Sequence, residues 1–250
     1  PKVCMIINSI AVGMCISIIP FIVSSFVNND KKELNQKFNQ AINTILYISI
    51  PLALFINAFG ASVYSIFYKD VEYGGVVLGV NAILSIVFSV QMIMDMMLQS
   101  MKNYKLVYIN TAIGLITNII LDIPIIVFLN DMGFHPYIGT IIASMIGQTV
   151  SILIIFIGSK KKYGFEFKSI LKVLFQILLS SSIMLFVIFM LKNLKPEFNG
   201  TLDKFISLFI FGFISIGIYV LITYALGTMK AVLGEDFISN ITNKFKKKST

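Results

Sequence analysis

The sequence predicts an all-α fold, a polytopic bundle of about seven transmembrane helices. Of its 250 residues, 57% are hydrophobic and only 13% are charged, a balance that soluble domains do not carry. Apolar runs of roughly 20 residues recur along the chain, and each is long enough to cross the hydrocarbon core of a bilayer. The predicted spans cover residues 3–27, 41–67, 75–100, 106–129, 138–158, 169–191 and 205–227.

The polar stretch between the first two spans is predicted to start a helix rather than to form a slack loop. Asp30 and Glu33 have the spacing of a capping box, with Asp in place of the usual Ser or Thr. Apolar residues then recur at helical spacing up to Ile45. Pro51 and Pro124 lie inside later spans, where each removes a backbone donor and is expected to bend its helix.

Spans three to five carry polar residues at membrane depth, where polar groups usually face a bundle interior or a water-filled path. Four residues of span three fall within an arc of roughly 80°, and span four carries a polar ladder with a spacing of four residues. The candidate cavity-lining residues are Asn81, Ser85, Asp95, Gln99, Asn110, Asn118, Asp122 and Gln148. The alternative is that these groups only form hydrogen bonds that hold the bundle together.

The two carboxyl groups of this set lie at different depths. Asp95 and Asp122 are expected to differ in depth by roughly 10 Å or more, which excludes a shared proton between them.

Span five has a small residue at every fourth position, which would let another helix approach closely. This ridge consists of Gly139, Ala143, Gly147 and Ser151.

Spans six and seven are more apolar and are expected to face lipid. The predicted organisation is therefore residues 1–158 as spans of one lobe, 159–228 as two additional helices, and 229–250 as a basic amphipathic tail. The tail has an apolar stripe and is expected to lie on the inner leaflet surface; a disordered basic tail is the alternative. The stripe consists of Val232, Leu233, Phe237, Ile241 and Phe245.

The distribution of lysine predicts the orientation. All 20 basic residues are Lys, and 15 of them fall in alternate connections and the tail, against 5 on the other side. By the positive-inside rule, the side with more lysines and the C-terminus are cytoplasmic, and residue 1 lies outside. An outside start without a signal peptide leads us to expect that the chain is part of a longer protein.

Several functions lack support in the sequence. The net charge of +8 comes from lysines beside apolar runs, which is typical of membrane topology signals rather than nucleic-acid binding. Cys4 and Cys15 lie several helical turns apart and cannot form a disulfide. His135 has no partner at metal-ligand spacing and is interpreted as a loop residue. No nucleotide-binding loop or catalytic motif is present, so we expect no enzyme activity, catalytic residue, metal or cofactor.

Four segments carry a family resemblance in the expected order. They are SIIPFIVSSFVNNDKKELNQKFNQAINTILYISIPLAL, ASVYSIFYKD, QMIMDMMLQSMKNYKLVYINTAIGLITNIILDIPII and GFHPYIGTIIASMIGQ. The pattern resembles the polysaccharide-transporter branch of the multidrug/oligosaccharidyl-lipid/polysaccharide (MOP) exporter superfamily, which has a MATE-like fold. Within it, the chain is most similar to the stage V sporulation protein B type and related lipid II flippases. It departs from the pattern at Phe21, where a small residue is usual, and at Ser100, where Gly is usual.

The resemblance implies a bacterial flippase of 14 spans, of which this chain matches the last seven. Spans six and seven would then form a groove for a lipid tail. The expected partners are a lipid-linked saccharide, membrane lipids, a coupling ion (Na⁺ or H⁺) and a missing N-terminal lobe. The expected location is the cytoplasmic membrane. Export of a cell-wall precursor by alternating access is the predicted function; a multidrug cation antiporter of the same fold and a non-transporting membrane scaffold are the alternatives.

Overall fold

The computed structural model describes residues 2–68, 73–194 and 201–233, and these residues form helices joined by short connections. The helices are α1 (Lys2–Ile16), α2 (Ile19–Val27), α3 (Lys31–Ala58), α4 (Gly60–Phe67), α5 (Gly74–Ser100), α6 (Tyr104–Asp131), α7 (Pro136–Tyr163), α8 (Lys168–Leu194), α9 (Thr201–Ala225) and α10 (Thr228–Leu233). The predicted all-α membrane fold is confirmed. Within the described residues, six helices are long and apolar enough to cross a membrane, namely α3 and α5 to α9.

The first predicted span is not one continuous helix, which corrects the expected helix over 3–27. It is divided into α1 and α2 by a turn at Ser17 and Ile18. Pro20 lies in the first turn of α2. Its missing N–H and its ring cannot continue the ladder of a preceding helix but are tolerated where a helix begins.

The second predicted span is also divided, between α3 and α4 at Phe59. Immediately after the break, Gly60 packs against the backbone of Gly75 so closely that a Cβ atom would overlap its carbonyl oxygen. The absence of a side chain at Gly60 therefore permits the contact between α4 and the start of α5. Pro51 and Pro124, in contrast, lie inside α3 and α6 as the sequence predicts.

Helix α3 begins where its cap predicts. The Oδ1 atom of Asp30 accepts a hydrogen bond of 2.9 Å from the backbone N–H of Glu33. This satisfies one of the free donors at a helix start. The apolar face that follows is buried, with Phe38 and Ile45 fully enclosed.

Helix α3 is the centre of the bundle, and it packs against α1, α2, α5, α8 and α10. One apolar cluster surrounds Phe38 and Phe165, and a second surrounds Phe59 and Phe211. Helix α6 instead packs mainly against α7. The bundle therefore consists of a core around α3 and α5 with an α6–α7 hairpin on one side and α8–α9 on another.

The connections that carry the most lysine lie at one end of the bundle, here called the lysine-rich end. The backbone N–H of Glu166 donates to Asn35 Oδ1, which joins the α7–α8 connection to the start of α3. Lys162 Nζ donates to Asn103 Oδ1 at 3.0 Å, which joins the end of α7 to the α5–α6 connection. Lys204 lies at the opposite end and donates to Ser65 Oγ.

Candidate functional site

The polar side chains of α5, α6 and α7 meet at Asn110, which is completely buried. Its Nδ2 atom donates to Asp95 Oδ1 at 2.9 Å and to the carbonyl oxygen of Leu106 at 3.1 Å. Ser151 Oγ donates to the carbonyl oxygen of Asn110 at 2.8 Å. The predicted residues Asp95 and Asn110, together with Ser151, therefore form one hydrogen-bond network that connects three helices.

The small residues of α7 allow this close approach. A Cβ atom at Gly147 would come within 2.7 Å of the carbonyl oxygen of Gly114, and one at Gly139 within 2.7 Å of Ile126 Cα. The ridge predicted from the sequence is thus the surface on which α6 packs, as small-residue ridges permit in membranes.

Further along the hairpin lie the remaining candidates of α6 and α7. Asn118 Nδ2 donates to Ser144 Oγ at 2.9 Å. Asp122 Oδ1 and Gln148 Oε1 are buried and have no hydrogen-bond partner among the described residues. Asp122 follows Asn110 by twelve residues, which is about 18 Å along a helix, in agreement with the expected separation of Asp95 from Asp122.

The other candidates of α5 lie elsewhere. Asn81 Nδ2 bonds back to the carbonyl oxygen of Val77, and Ser85 Oγ to that of Asn81. Gln99 is exposed in the last turn of α5. The eight predicted residues are therefore divided between the α5–α6–α7 region, the α1-facing side of α5 and the lysine-rich end.

One contact on the α1-facing side was missed by the sequence reasoning. Ser89 Oγ lies 2.9 Å from Asn8 Oδ1 and 2.8 Å from the carbonyl oxygen of Ser85, and its one hydrogen is shared between these two acceptors. The spacing of four residues between Ser85 and Ser89 could have predicted that Ser89 lies on the same side of α5 as Ser85. Nothing in the sequence identified Asn8 as its partner, because the pattern of one helix does not reveal its neighbour.

Two cavities lie between helices at other places. An apolar cavity of about 390 Å³ is lined by residues of α1, α3, α8 and α9, including Pro51, Phe55 and Gly212. Its few hydroxyls are occupied: Tyr219 donates to the carbonyl oxygen of Tyr47, and the Tyr47 hydroxyl pairs with Thr223. The cavity can therefore hold an apolar chain without leaving polar groups unpaired.

A polar cavity of about 400 Å³ lies at the lysine-rich end. It is bordered by α3, α8, the turn after α9 and α10. Lys172 and Lys230 belong to its lining, together with amide side chains of α3. Among the described residues, no group of three or more His, Cys, Asp or Glu is placed to hold a metal ion.

Comparison with known proteins identifies the family. A family model described as lipid II flippase MurJ matches residues 4–211, which is most of the chain. The chain belongs to the MurJ lipid II flippase family. It is accordingly a multi-pass integral membrane protein of the bacterial cytoplasmic membrane, and the predicted superfamily is confirmed at this level.

Two MurJ relatives define how much of the family this chain represents. Lipid II flippase MurJ of Bacillus subtilis (strain 168) is 28% identical over 242 residues, which cover 93% of this chain and 43% of that protein. The MurJ of Thermosipho africanus (strain TCF52B) is 26% identical over 197 residues, which cover 76% of this chain and 39% of that protein. The chain thus spans less than half the length of the MurJ relatives that it matches.

A solved structure of a MurJ protein has the same fold. Lipid II flippase MurJ in an inward closed conformation superposes with a TM-score of 0.63 at 22% identity, over 85% of this chain and 43% of that one. The similarity concerns the helix arrangement, and the superposed residues cover less than half of that protein.

Proposed function

We propose that this chain is one lobe of a flippase that moves a lipid-linked cell-wall precursor outward across the cytoplasmic membrane. The observation that carries the proposal is the match of the MurJ family model over residues 4–211. The two relatives are themselves named lipid II flippases. Transport would proceed by alternating access, in which two lobes rock about a central site.

We further propose that the chain is the C-terminal half of such a protein and that an N-terminal lobe completes it. The relatives are more than twice as long as the matched segment, and the sequence pattern resembles the last seven of 14 spans. Within the superfamily, we place it near the stage V sporulation protein B type. An ion gradient of Na⁺ or H⁺, or the membrane potential, would drive the motion, since moving one charge across 100 mV is worth about 2.3 kcal/mol.

The polar residues of α6 and α7 are proposed to contribute to the path of the head group. Asp122 and Gln148 support this role, because each has a buried oxygen without a partner among the described residues. Polar atoms without partners are costly inside a membrane. Hydroxyl and amide donors of a saccharide passing beside the lobe would supply the missing hydrogen bonds.

The apolar cavity is proposed to hold part of the lipid tail. Its lining comes from α1, α3, α8 and α9, and the family resemblance assigns a tail groove to the pair here called α8 and α9. The cavity volume of about 390 Å³ accommodates a segment of a long apolar chain rather than all of it. The remainder would stay in the bilayer.

Filling the apolar cavity tests the proposal. Gly212 belongs to its lining, and a side chain there would point toward Phe55, whereas Gly217 on the same helix is exposed and has open space around it. The full-length protein carrying Gly212→Phe or Gly217→Phe is produced in a strain depleted of its own flippase. The measurement is the fraction of precursor in the outer leaflet that an added precursor-cleaving enzyme reaches.

We expect Gly212→Phe to reduce outward transport at least tenfold and Gly217→Phe to leave it within about twofold, because only the first obstructs the cavity. Membrane abundance is measured for both variants. Failure of the unmodified protein to deliver precursor to the outer leaflet would overturn the flippase proposal. Equal activity of the two variants would overturn only the role of the cavity.

A further inference from the structure

The polar cavity at the lysine-rich end is separate from the polar residues of α5 to α7. Lys172 of α8 and Lys230 of α10 belong to different elements of its wall. No carboxylate is among the described residues that line it. Two ammonium groups in a cavity whose described lining residues include no carboxylate create a positive potential, which attracts a phosphate.

The wall between the lysines supplies hydrogen-bond acceptors. Asn39 and Asn43 line the cavity from α3, and they are only 7% and 2% exposed. The Nδ2 atom of Asn39 is occupied by the carbonyl oxygen of Glu166. The Oδ1 atoms of both side chains have no partner among the described residues. Buried acceptors of this kind require a donor, such as a ligand hydroxyl.

The cavity is held in shape by hydrogen bonds between its walls. Gln176 Nε2 donates to the carbonyl oxygen of Leu226 at 3.1 Å, and Thr228 Oγ1 donates to Gln176 Oε1. Thr44 Oγ1 and Gln40 Nε2 both donate to the carbonyl oxygen of Val232. These contacts connect α8 and α10 to each other and to α3. The lysines and the amides therefore lie on helices that are hydrogen-bonded together rather than on loops.

We propose that this cavity binds the head group of an anionic glycerophospholipid with a free polyol, such as phosphatidylglycerol. The phosphate would lie between Lys172 and Lys230, and the glycerol hydroxyls would donate to Asn39 and Asn43. Basic pockets between membrane helices at the head-group level bind anionic lipids in this way. A volume of about 400 Å³ accommodates a phosphate and a small polyol.

Lipid binding in this cavity would be independent of the transported substrate. A lipid in this cavity would touch α3, α8 and α10 together. Its binding would therefore stabilise the attachment of the last helices to the rest of the bundle.

Native mass spectrometry of the full-length protein tests this site. The protein is purified in a neutral detergent and titrated with phosphatidylglycerol, phosphatidic acid or phosphatidylcholine. The first variant is Lys172→Gln with Lys230→Gln. Its control is Lys160→Gln with Lys161→Gln, which removes the same charge from exposed positions of the same end that do not line the cavity.

We expect the tightest site for phosphatidylglycerol to weaken about tenfold or more in the cavity variant and to change less than twofold in the control. Asn43→Leu is expected to lower the affinity for phosphatidylglycerol but not for phosphatidic acid, which lacks the glycerol hydroxyls. This second variant retains both lysines, so it separates hydroxyl recognition from charge.

Three results would overturn the proposal. The first is equal phosphatidylglycerol affinity in the cavity variant and its control. The second is displacement of the lipid by free glycerol phosphate at concentrations near those of the lipid, which would identify a soluble phosphate ligand. The third is displacement by the lipid-linked precursor with the same dependence on Lys172 and Lys230, which would make the cavity part of the transport path.

Discussion

Asn110 illustrates how a single polar residue organises a membrane bundle. It is completely buried, and its side chain and carbonyl group together contact α5, α6 and α7. Because a carboxyl group in a membrane is costly without a partner, the hydrogen bonds from Asn110 and Gln91 stabilise Asp95 at its position. The pair of Asp95 and Asn110 therefore has a structural role that does not depend on the proposed transport.

Replacing Asn110 should expose this dependence. Asn110→Leu is expected to lower the free energy of unfolding by about 1–3 kcal/mol, because Asp95 loses the hydrogen bond from Asn110 and keeps the one from Gln91. Asp95→Leu together with Asn110→Leu should cost less than the sum of the single changes, since the carboxyl group that lost its donor is then removed. Thermal unfolding of the detergent-solubilised protein measures both effects, and additive costs would contradict the coupling.

A matched control is available on the same hairpin. Thr149 is exposed, and its hydroxyl bonds only to the carbonyl oxygen of Met145 within its own helix. Thr149→Val is therefore expected to change the free energy of unfolding by less than about 0.5 kcal/mol.

At the scale of elements, the start of α3 is specified by its cap. Asp30→Ala should destabilise this start by about 0.5–2 kcal/mol because the backbone N–H of Glu33 loses its acceptor. Amide exchange over residues 31–34 is expected to become faster. Asp30→Ser should restore most of the protection, whereas equal exchange in all three proteins would show that the cap is not needed.

Packing of α6 on α7 gives a second element-scale prediction. Gly114→Ala should destabilise the hairpin, because its Cβ atom would overlap Ser151 Oγ and approach the carbonyl oxygen of Gly147 to 2.9 Å. A loss of about 1–3 kcal/mol is expected from such overpacking. Gly217→Ala in α9 should be neutral or stabilising by up to about 1 kcal/mol, since nothing lies within 4 Å of the new Cβ atom.

Equal unfolding temperatures for these two glycine variants would contradict the close approach of α6 and α7. Cross-linking gives an independent check: a disulfide between cysteines placed at Gly114 and Gly147 should form only if the helices are in backbone contact.

The elements also show where sequence reasoning succeeds and fails. The helix starts were predicted within a few residues for most spans, and the cap at Asp30 was identified correctly. Pro20, Pro51 and Pro124 look alike in the sequence, yet Pro20 begins a new helix while the others lie inside continuous ones. The difference depends on which helices pack around each proline, and no single span encodes that information.

The candidate site shows the same limit. The ladder from Asn110 to Asp122 was found because its members repeat along one helix. Its partners Ser144 and Ser151 lie on the next helix, where the small-residue ridge was the only sequence pattern that predicted a helix contact. The polar cavity could not be predicted from the sequence, because Lys172 and Lys230 lie far apart along the chain and line one cavity only after α8 and α10 pack against α3.

At the scale of the molecule, the alternation of lysine-bearing connections predicts an orientation that labelling can test. In a protein whose two cysteines are replaced by Ala, a cysteine at Lys161 should react with an impermeant maleimide only after the cells are opened. A cysteine at Met132, exposed in the connection at the other end, should react in intact cells. The reverse pattern would invert the topology and contradict the positive-inside prediction.

The first residues of the predicted tail pack against the helix bundle. Val232 is 2% exposed and packs with the apolar cluster around Phe38, so the start of the stripe joins the bundle. Phe237, Ile241 and Phe245 lie outside the described residues. Their placement on the inner leaflet stays a prediction.

The pairing of α6 with α7 has a consequence for how the protein is made. Helix α6 carries Asn110, Asn118 and Asp122 within its apolar span, and its hydrogen bonds to α7 reach across a connection of only a few residues. If α6 left the insertion machinery alone, its amide side chains and its carboxyl group would face lipid. Helix α7, which is synthesised next, carries the hydroxyl groups and the small-residue surface that contact the polar side chains of α6. Biogenesis therefore favours insertion of α6 and α7 together as one hairpin.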